Sequence, residues 1–287
     1  MAKTVDAAFD ILVERLKHSE TETAGAAANR KSIERRLEKD FDLTRMFRSG
    51  SFGHGTSLNR FSDYDYFAVI PAGKLPDNSA NALRKMRLSL LGRFPSTNIV
   101  VRSPAVVVPL ASGLRSHDII PAWERGRENG YTTYGIPNRG GGWMTASPQA
   151  HNAWVNAIND SHKKRVKQLI RLVKYWSYLN GTGIRSFYLE LRTAEYAKSE
   201  QTILYKYDVK RVFAHLVNKS LASMQDPLGI SGMVAPCTQA VKDSALSKVR
   251  TALTRATKAF EAEEKENHAL AFNWWDKVYG GCFPGFY

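Results

Sequence analysis

Cysteine is nearly absent. Cys237 and Cys282 are the two in 287 residues, too few for a disulfide framework or a four-ligand zinc site, and neither stands in a Cys/His cluster. Glycine and proline are sparse as well, at 20 and 11 residues, which excludes collagen-like and low-complexity chains. No apolar run approaches the ~18 residues that a membrane span needs. The opening Met1-Ala2-Lys3-Thr4-Val5-Asp6 leads into an amphipathic pattern with acidic residues and lacks the apolar stretch of a signal peptide. The expectation is a cytoplasmic protein without a membrane span. Acidic side chains are also in deficit, 27 Asp and Glu against 41 Lys and Arg, for a net charge of +14. Such an excess suits a polyanionic partner (nucleic acid, nucleotide or acidic membrane surface) or a solvated basic surface without one. With 43% hydrophobic residues, the length suits one large domain or two compact lobes.

Periodicity divides the chain. Val5, Ala8, Phe9, Leu12 and Leu16 have helical spacing over residues 5–18, and residues 29–40 suggest a second helix. The segment Gly50-Ser51-Phe52-Gly53-His54-Gly55-Thr56 has a glycine density that argues against helix. Tyr64 to Ile70 is aromatic and β-branched, a strand closed by Pro71. Residues 78–91 return to helical spacing, and apolar runs of strand length follow at 99–101, 105–110 and 119–120. From Ser147-Pro148, a helix N-cap followed by proline at the first helical position, the pattern is helical to Asn180-Gly181. Further helices are expected over residues 187–197, 208–224, 239–265 and 268–278. The shift in composition around Gly140-Gly141-Gly142 marks the best boundary, giving lobes of residues 1–146 and 147–287.

The chemistry is concentrated in the first lobe. Glycines at 50, 53 and 55 allow backbone N–H groups to converge on an anion, and Ser51 adds a hydroxyl. Asp63 and Asp65 are two apart ahead of a strand, so they present carboxylates to one side. Like charges aimed together favour a cation between them, and Mg²⁺ takes carboxylate and phosphate oxygens. In the second lobe Lys163, Lys164, Lys167, Arg171 and Lys174 fall on one side of the long helix, beside an apolar face of Val166, Leu169, Ile170 and Val173.

The string Gly50-Ser51-x-x-x-Gly55-Thr56, followed by Ser62-Asp63-x-Asp65-x-x-x-Val69, resembles the polymerase β nucleotidyltransferase superfamily, and within it the cGAS/DncV-like branch of bacterial antiphage defence. Asp118 in His117-Asp118-Ile119-Ile120-Pro121 matches the third carboxylate of that family. Lys174-Tyr175-Trp176, Ser186-Phe187-Tyr188-Leu189-Glu190 and the Trp275 to Pro284 tail match its second lobe. The resemblance implies an α+β fold: a mixed-sheet catalytic lobe fused to an all-helical lobe, with the active site in the cleft between them. It implies that Asp63, Asp65 and Asp118 are catalytic and hold two Mg²⁺ ions (Mn²⁺ as a substitute). Gly50, Ser51, Lys174 and Ser186 would bind the triphosphate, and Phe187 would stack on the base. The expected partners are nucleoside triphosphates, the oligonucleotide product, nucleic acid on the basic surface and a separate effector protein that reads the product.

The implied activity is template-independent synthesis of a cyclic or short linear oligonucleotide signal. Three other readings stay open. One is a transferase that modifies tRNA or protein, and another is a nucleic-acid-binding pseudoenzyme, against which all three acidic positions argue. The third is a protein-primed polymerase in which the Gly280-Gly281-Cys282-Phe283-Pro284-Gly285-Phe286-Tyr287 tail bends to offer the Tyr287 hydroxyl as primer.

Overall fold

Thr4 begins the first helix by accepting a hydrogen bond from the Ala7 N–H at 3.2 Å, the side-chain cap that an exposed helix end needs. The computed structural model describes residues 2–17, 20–59, 61–110 and 115–287; the end of the helix expected over residues 5–18 falls at a position outside them. Helix α1 (Val5–Arg15) is followed by α2 (Glu20–Phe41), β1 (Arg45–Arg48), the short α3 (Gly50–His54) and β2 (Tyr64–Val69). After a 3₁₀ turn come α4 (Ser79–Arg93), β3 (Val100–Arg102), β4 (Ala105–Val108), β5 (His117–Glu128), β6 (Tyr131–Pro137) and β7 (Trp143–Ala146). The remainder is α5 (Pro148–Ser161), α6 (Val166–Leu179), α7 (Ser186–Ala197), α8 (Tyr205–Asn218), the two-residue strands β8 (Met224–Gln225) and β9 (Met233–Val234), α9 (Gln239–Glu264) and α10 (His268–Val278).

The chain forms two units, one of residues 20–154 and 226–232, the other of residues 2–17, 155–225 and 233–287. The first is built on a mixed sheet ordered β1-β2-β5-β4-β3, with β6 and β7 continuing from the far half of β5. Only β2 and β5 run parallel among the paired strands. Side chains alternate across the sheet. Tyr66, Ala68, Val106 and Ile119 pack on Ile33 and Leu37 of α2 and on Leu83, Met86 and Leu90 of α4. Phe67, Val69, Ile120 and Ala122 face the other way, with Tyr134 and Ile136 of β6.

The lobe boundary expected at 146/147 differs from this division at both ends. Helix α1 belongs with the helical unit because Phe9 packs edge-on against Trp275 at 4.8 Å and Phe283 at 5.1 Å. The glycine run is a hairpin turn, not a boundary. Asn138 Oδ1 accepts from the N–H groups of Gly140 and Gly142, both at 2.9 Å, and Gly141 turns the chain at φ 82°. The second unit is helical apart from the β8–β9 pair. Its expected long first helix is interrupted: Lys163 and Lys164 take left-handed φ of 52° and 63°, and Asn159 Oδ1 caps the restart through the Lys167 N–H at 3.0 Å. Lys163 and Lys164 therefore lie off the helix on which the basic stripe was expected. Among the described residues, no helix is long and apolar enough to cross a membrane.

Candidate active site

Strands β2 and β5 pair in register, Tyr64 opposite His117 and Asp65 opposite Asp118. Parallel neighbours lie about 4.8 Å apart, and alternation puts both aspartates on the sheet face away from α2 and α4. Their helix-side neighbours are apolar or aromatic: His117 is buried and stacks on Tyr66 at 6.0 Å. That placement suits a structural role for His117.

Asp63 precedes β2 and is exposed. A turn delivers it, in which the Leu58 carbonyl accepts from the Ser62 N–H at 3.2 Å and Ser62 Oγ accepts from the Leu58 N–H at 2.8 Å. Ser116 ties the carboxylates of the two strands together. Its N–H donates to Asp63 Oδ1 at 3.0 Å, its hydroxyl donates to Asp118 Oδ1 at 2.5 Å, and its carbonyl accepts from Tyr64 N–H at 2.9 Å. Arg115 braces the same corner by donating to Tyr64 Oη at 3.0 Å and Asn59 Oδ1 at 2.9 Å. Burial pushes the Asp118 carboxyl up to about 6; the Ser116 hydrogen bond and Arg102 lower it, while the charge of Asp63 raises it.

Among the described residues, no three His, Cys, Asp or Glu side chains are gathered closely enough to enclose a metal ion. Asp63 is turned to the Ser116 N–H. The donor chemistry nevertheless fits Mg²⁺, which takes carboxylate oxygens. Asp65 and Asp118 are in register, and Asp63 is near enough to disfavour ionisation of Asp118.

The glycine segment is a helical turn rather than an open loop. Gly53 N–H donates to the Ser49 carbonyl at 2.9 Å, while the N–H groups of Gly55 and Thr56 both donate to the Ser51 carbonyl, the latter at 2.9 Å. Gly55 closes the turn at φ 68°, a left-handed cap that offsets the glycine penalty expected within a helix. The N–H groups of Gly53 and Gly55 are thus committed to the turn, away from the anion expected to draw them together. Gly50 is required on two grounds. Its φ is +52°, and a Cβ there would lie 2.8 Å from Asp65 Cγ. Ser49 N–H donates to the Asp65 carbonyl at 2.9 Å, so the turn is seated directly on the aspartate. Phe52 anchors it edge-on to Tyr64 at 4.7 Å, with the Arg48 guanidinium over its ring at 4.6 Å. Within the turn His54 is buried.

In the helical unit Lys174 is only 4% exposed, so it is no solvated helix residue. Burial depresses the basicity of Lys167 and Arg171 on the same helix. Ser186 is the first residue of α7 and is exposed, while Phe187 is half-buried. The tail does not bend as expected. Ala2 N–H donates to the Gly285 carbonyl at 2.9 Å and Tyr287 N–H to the Ala2 carbonyl at 3.0 Å, so the last residues are held beside the first. The Tyr287 ring is exposed and approaches Lys3. Free movement of the last three residues, which the primer reading needs, is therefore replaced by a backbone bridge.

Ser116, Arg115 and Ser49 are the site neighbours that motif reading missed. Ser116 stands two residues before Asp118, but its partners become visible only once β2 and β5 are known to pair in parallel.

Strands that bring spaced aspartates into register beside a glycine–serine turn define the class, a nucleotidyltransferase. Residues 3–159, more than half of the chain, match the Second Messenger Oligonucleotide or Dinucleotide Synthetase domain, and the chain belongs to that family, among the cGAS/DncV-like nucleotidyltransferases. It is 26% identical over 280 residues to a protein of Bacillus cereus (strain VD146) named as a probable cyclic nucleotide synthase, covering 92% of this chain and 82% of that one. It is 24% identical to the cyclic AMP-AMP-AMP synthase of Escherichia coli (strain MS 115-1), covering 86% and 85%. The solved structure of E. coli MS115-1 CdnC with ATP shares the fold at a TM-score of 0.77 and 22% identity, over 98% of both chains.

Proposed function

We propose that this enzyme joins nucleoside triphosphates, ATP among them, into a cyclic or short linear oligonucleotide signal, without a template, with Mg²⁺ or Mn²⁺, in cytoplasmic antiphage defence alongside an effector that reads the product. The observation that carries the reading is the register of Asp65 with Asp118, with Asp63 linked to Asp118 through Ser116.

In the reaction a nucleotide hydroxyl attacks the α-phosphorus of a second nucleotide, a P–O bond forms, and pyrophosphate leaves. Asp63, Asp65 and Asp118 would hold the metal ions, which when bound lower the pKa of the attacking hydroxyl and neutralise charge on the leaving group. The protein's own part is positioning. Gly50 holds the turn against Asp65, and the Gly50 and Ser51 N–H groups would grip the β- and γ-phosphates. Ser116 fixes the orientation of two carboxylates at once. In the helical unit, Lys174 and Ser186 are proposed as triphosphate contacts and Phe187 as a base contact, on the strength of the family motifs that contain them. The names of the two synthase relatives support a cyclic product.

The test is incubation with each labelled NTP and dNTP, alone and in pairs, with Mg²⁺ or Mn²⁺, followed by chromatography and nuclease digestion. A phosphatase-resistant product is expected for a ring, and a 5′-triphosphate for a linear oligomer. Asp65→Asn and Asp118→Asn are expected to lose at least about a hundredfold in rate while keeping their fold, by analogy with the loss of one transition-state-stabilising group. Pyrophosphate release that persists in both variants would remove the aspartates from the mechanism.

A further inference from the structure

Helix α9 carries its charge in an arrangement that helix stability does not explain. Residues 244–260 contain Lys248, Arg250, Arg255 and Lys258 and no acidic residue, whereas Glu261, Glu263, Glu264 and Glu266 cluster at the end. The helix dipole favours the reverse, with carboxylates in the first turn and cations in the last. One face is accounted for by packing: Ala245, Val249, Ala252, Ala256 and Ala259 are buried. Two cations are accounted for as well. Lys248 donates to the Gly181 carbonyl at 2.7 Å and Arg255 to the Lys277 carbonyl at 2.6 Å, satisfying backbone groups at the ends of other helices.

What remains is a stripe at i, i+3, i+4, i+7 and i+11. Ser247, Arg250, Thr251, Thr254 and Lys258 line a shallow groove that ends at Trp274 of α10. A second hollow floored by Trp176 continues it through Thr251 and Arg255. Two ammonium groups approach the half-buried Trp274 ring, Lys258 at 4.7 Å and Lys277 at 4.3 Å from its centroid. Among the described residues, no carboxylate stands within ion-pair distance of Arg250, Lys258 or Lys277.

We propose that this α9–α10 face binds single-stranded nucleic acid. Cations and hydroxyls in a row provide for the phosphates, and a surface tryptophan beside them provides a stacking platform for an unpaired base. The stripe from Ser247 to Lys258 is about 16 Å long, room for a few nucleotides. An acidic peptide would use the cations but not the ring, and a duplex would offer the ring no unpaired base. The site lies wholly in the helical unit and does not depend on the function proposed above.

Fluorescence anisotropy with a labelled 20-nucleotide oligo-dT and a mixed-sequence duplex tests it, over a KCl series. Three phosphate contacts predict a log–log salt slope of about −2 for the single strand, or roughly a twentyfold loss between 50 and 200 mM. The double variant Arg250→Glu/Lys258→Glu is expected to bind at least about tenfold more weakly, with a slope shallower than about −1. Trp274→Ala is expected to weaken single-strand binding about tenfold and leave duplex binding unchanged. Asp118→Asn is expected to bind as the parent does, which separates this face from strand held at the aspartates. Melting curves verify that the surface variants fold. Parent-like binding by the double variant, tighter binding of duplex than strand, or loss of binding in Asp118→Asn would each overturn the proposal.

Discussion

Ser116 has two jobs that a single substitution can separate. Its N–H survives in Ser116→Ala, so Asp63 keeps its partner, while Asp118 loses the hydroxyl donor at 2.5 Å. That hydroxyl favours the charged carboxylate against burial and against Asp63. Outer partners of metal-binding carboxylates are worth about 10–100-fold in metal affinity or activity. Ser116→Ala is therefore expected to need about 10–100-fold more Mg²⁺ for half-maximal rate, with little change in thermal stability; a magnesium titration of initial rates checks it. Gly50→Ala combines two faults, a left-handed φ of +52° and a Cβ pushed into the Asp65 carboxylate. The backbone fault alone costs about 1–2 kcal/mol. The variant is expected to lose at least that in urea denaturation and most of its activity, because Asp65 must move to admit the methyl group.

At the scale of elements, the segment 226–232 is organised by one carboxylate. Asp226 accepts from the N–H groups of Leu228 at 3.1 Å, Ile230 at 3.0 Å and Ser231 at 2.7 Å, and pairs with His151 of α5 at 3.0 Å. Burial works against its ionisation, but the His151 hydrogen bond and the backbone donors outweigh it and hold the carboxyl down at about 2. A folded-state value below the ordinary ~3.9 means that the ionised group contributes stability above about pH 4, and that this is lost as pH falls toward 2. The difference corresponds to about 2–3 kcal/mol. Asp226→Asn is expected to be destabilised by that amount at pH 7, with the gap to the parent closing between pH 4 and pH 2; urea titrations across that range measure it. Neither partner carried a signal in the sequence, because the contact joins residues 75 apart in a pattern that periodicity does not encode. The helices were readable because their apolar spacing is local: α7, α9 and α10 lie within a residue of expectation. That Asp65 and Asp118 lie on paired strands was legible only through the family motifs, Asp63-x-Asp65 by its spacing and Asp118 by the apolar residues and Pro121 that follow it. Hidden from that reading were β1, the hairpins beyond residue 123 and the helical turn at Gly50, all of which depend on pairing across the sheet or on a cap rather than on composition.

For the molecule as a whole, the division of the chain is the feature with the widest reach. The sheet unit takes back residues 226–232 after the helical unit has begun, and the helical unit needs residues 2–17 from the start. A fragment of residues 20–154 therefore contains every strand of the sheet but leaves His151 without Asp226. It is expected to melt at least ~5 °C below the same unit in the intact chain, since 2–3 kcal/mol is worth roughly that in a unit of this size; calorimetry of the two proteins decides it. The same interleaving sets a timetable during synthesis. A ribosome adding about 5–20 residues per second needs roughly 4–16 s to pass from residue 154 to residue 232. Throughout that interval the sheet, with its aspartates already made, lacks the carboxylate that secures α5. The first helix waits longer still, until the aromatic rings of α10 and the tail emerge to receive Phe9. A nascent chain of this protein thus carries Asp63, Asp65 and Asp118 before Asp226 emerges to meet His151, and carries Phe9 before the rings of Trp275 and Phe283 that receive it.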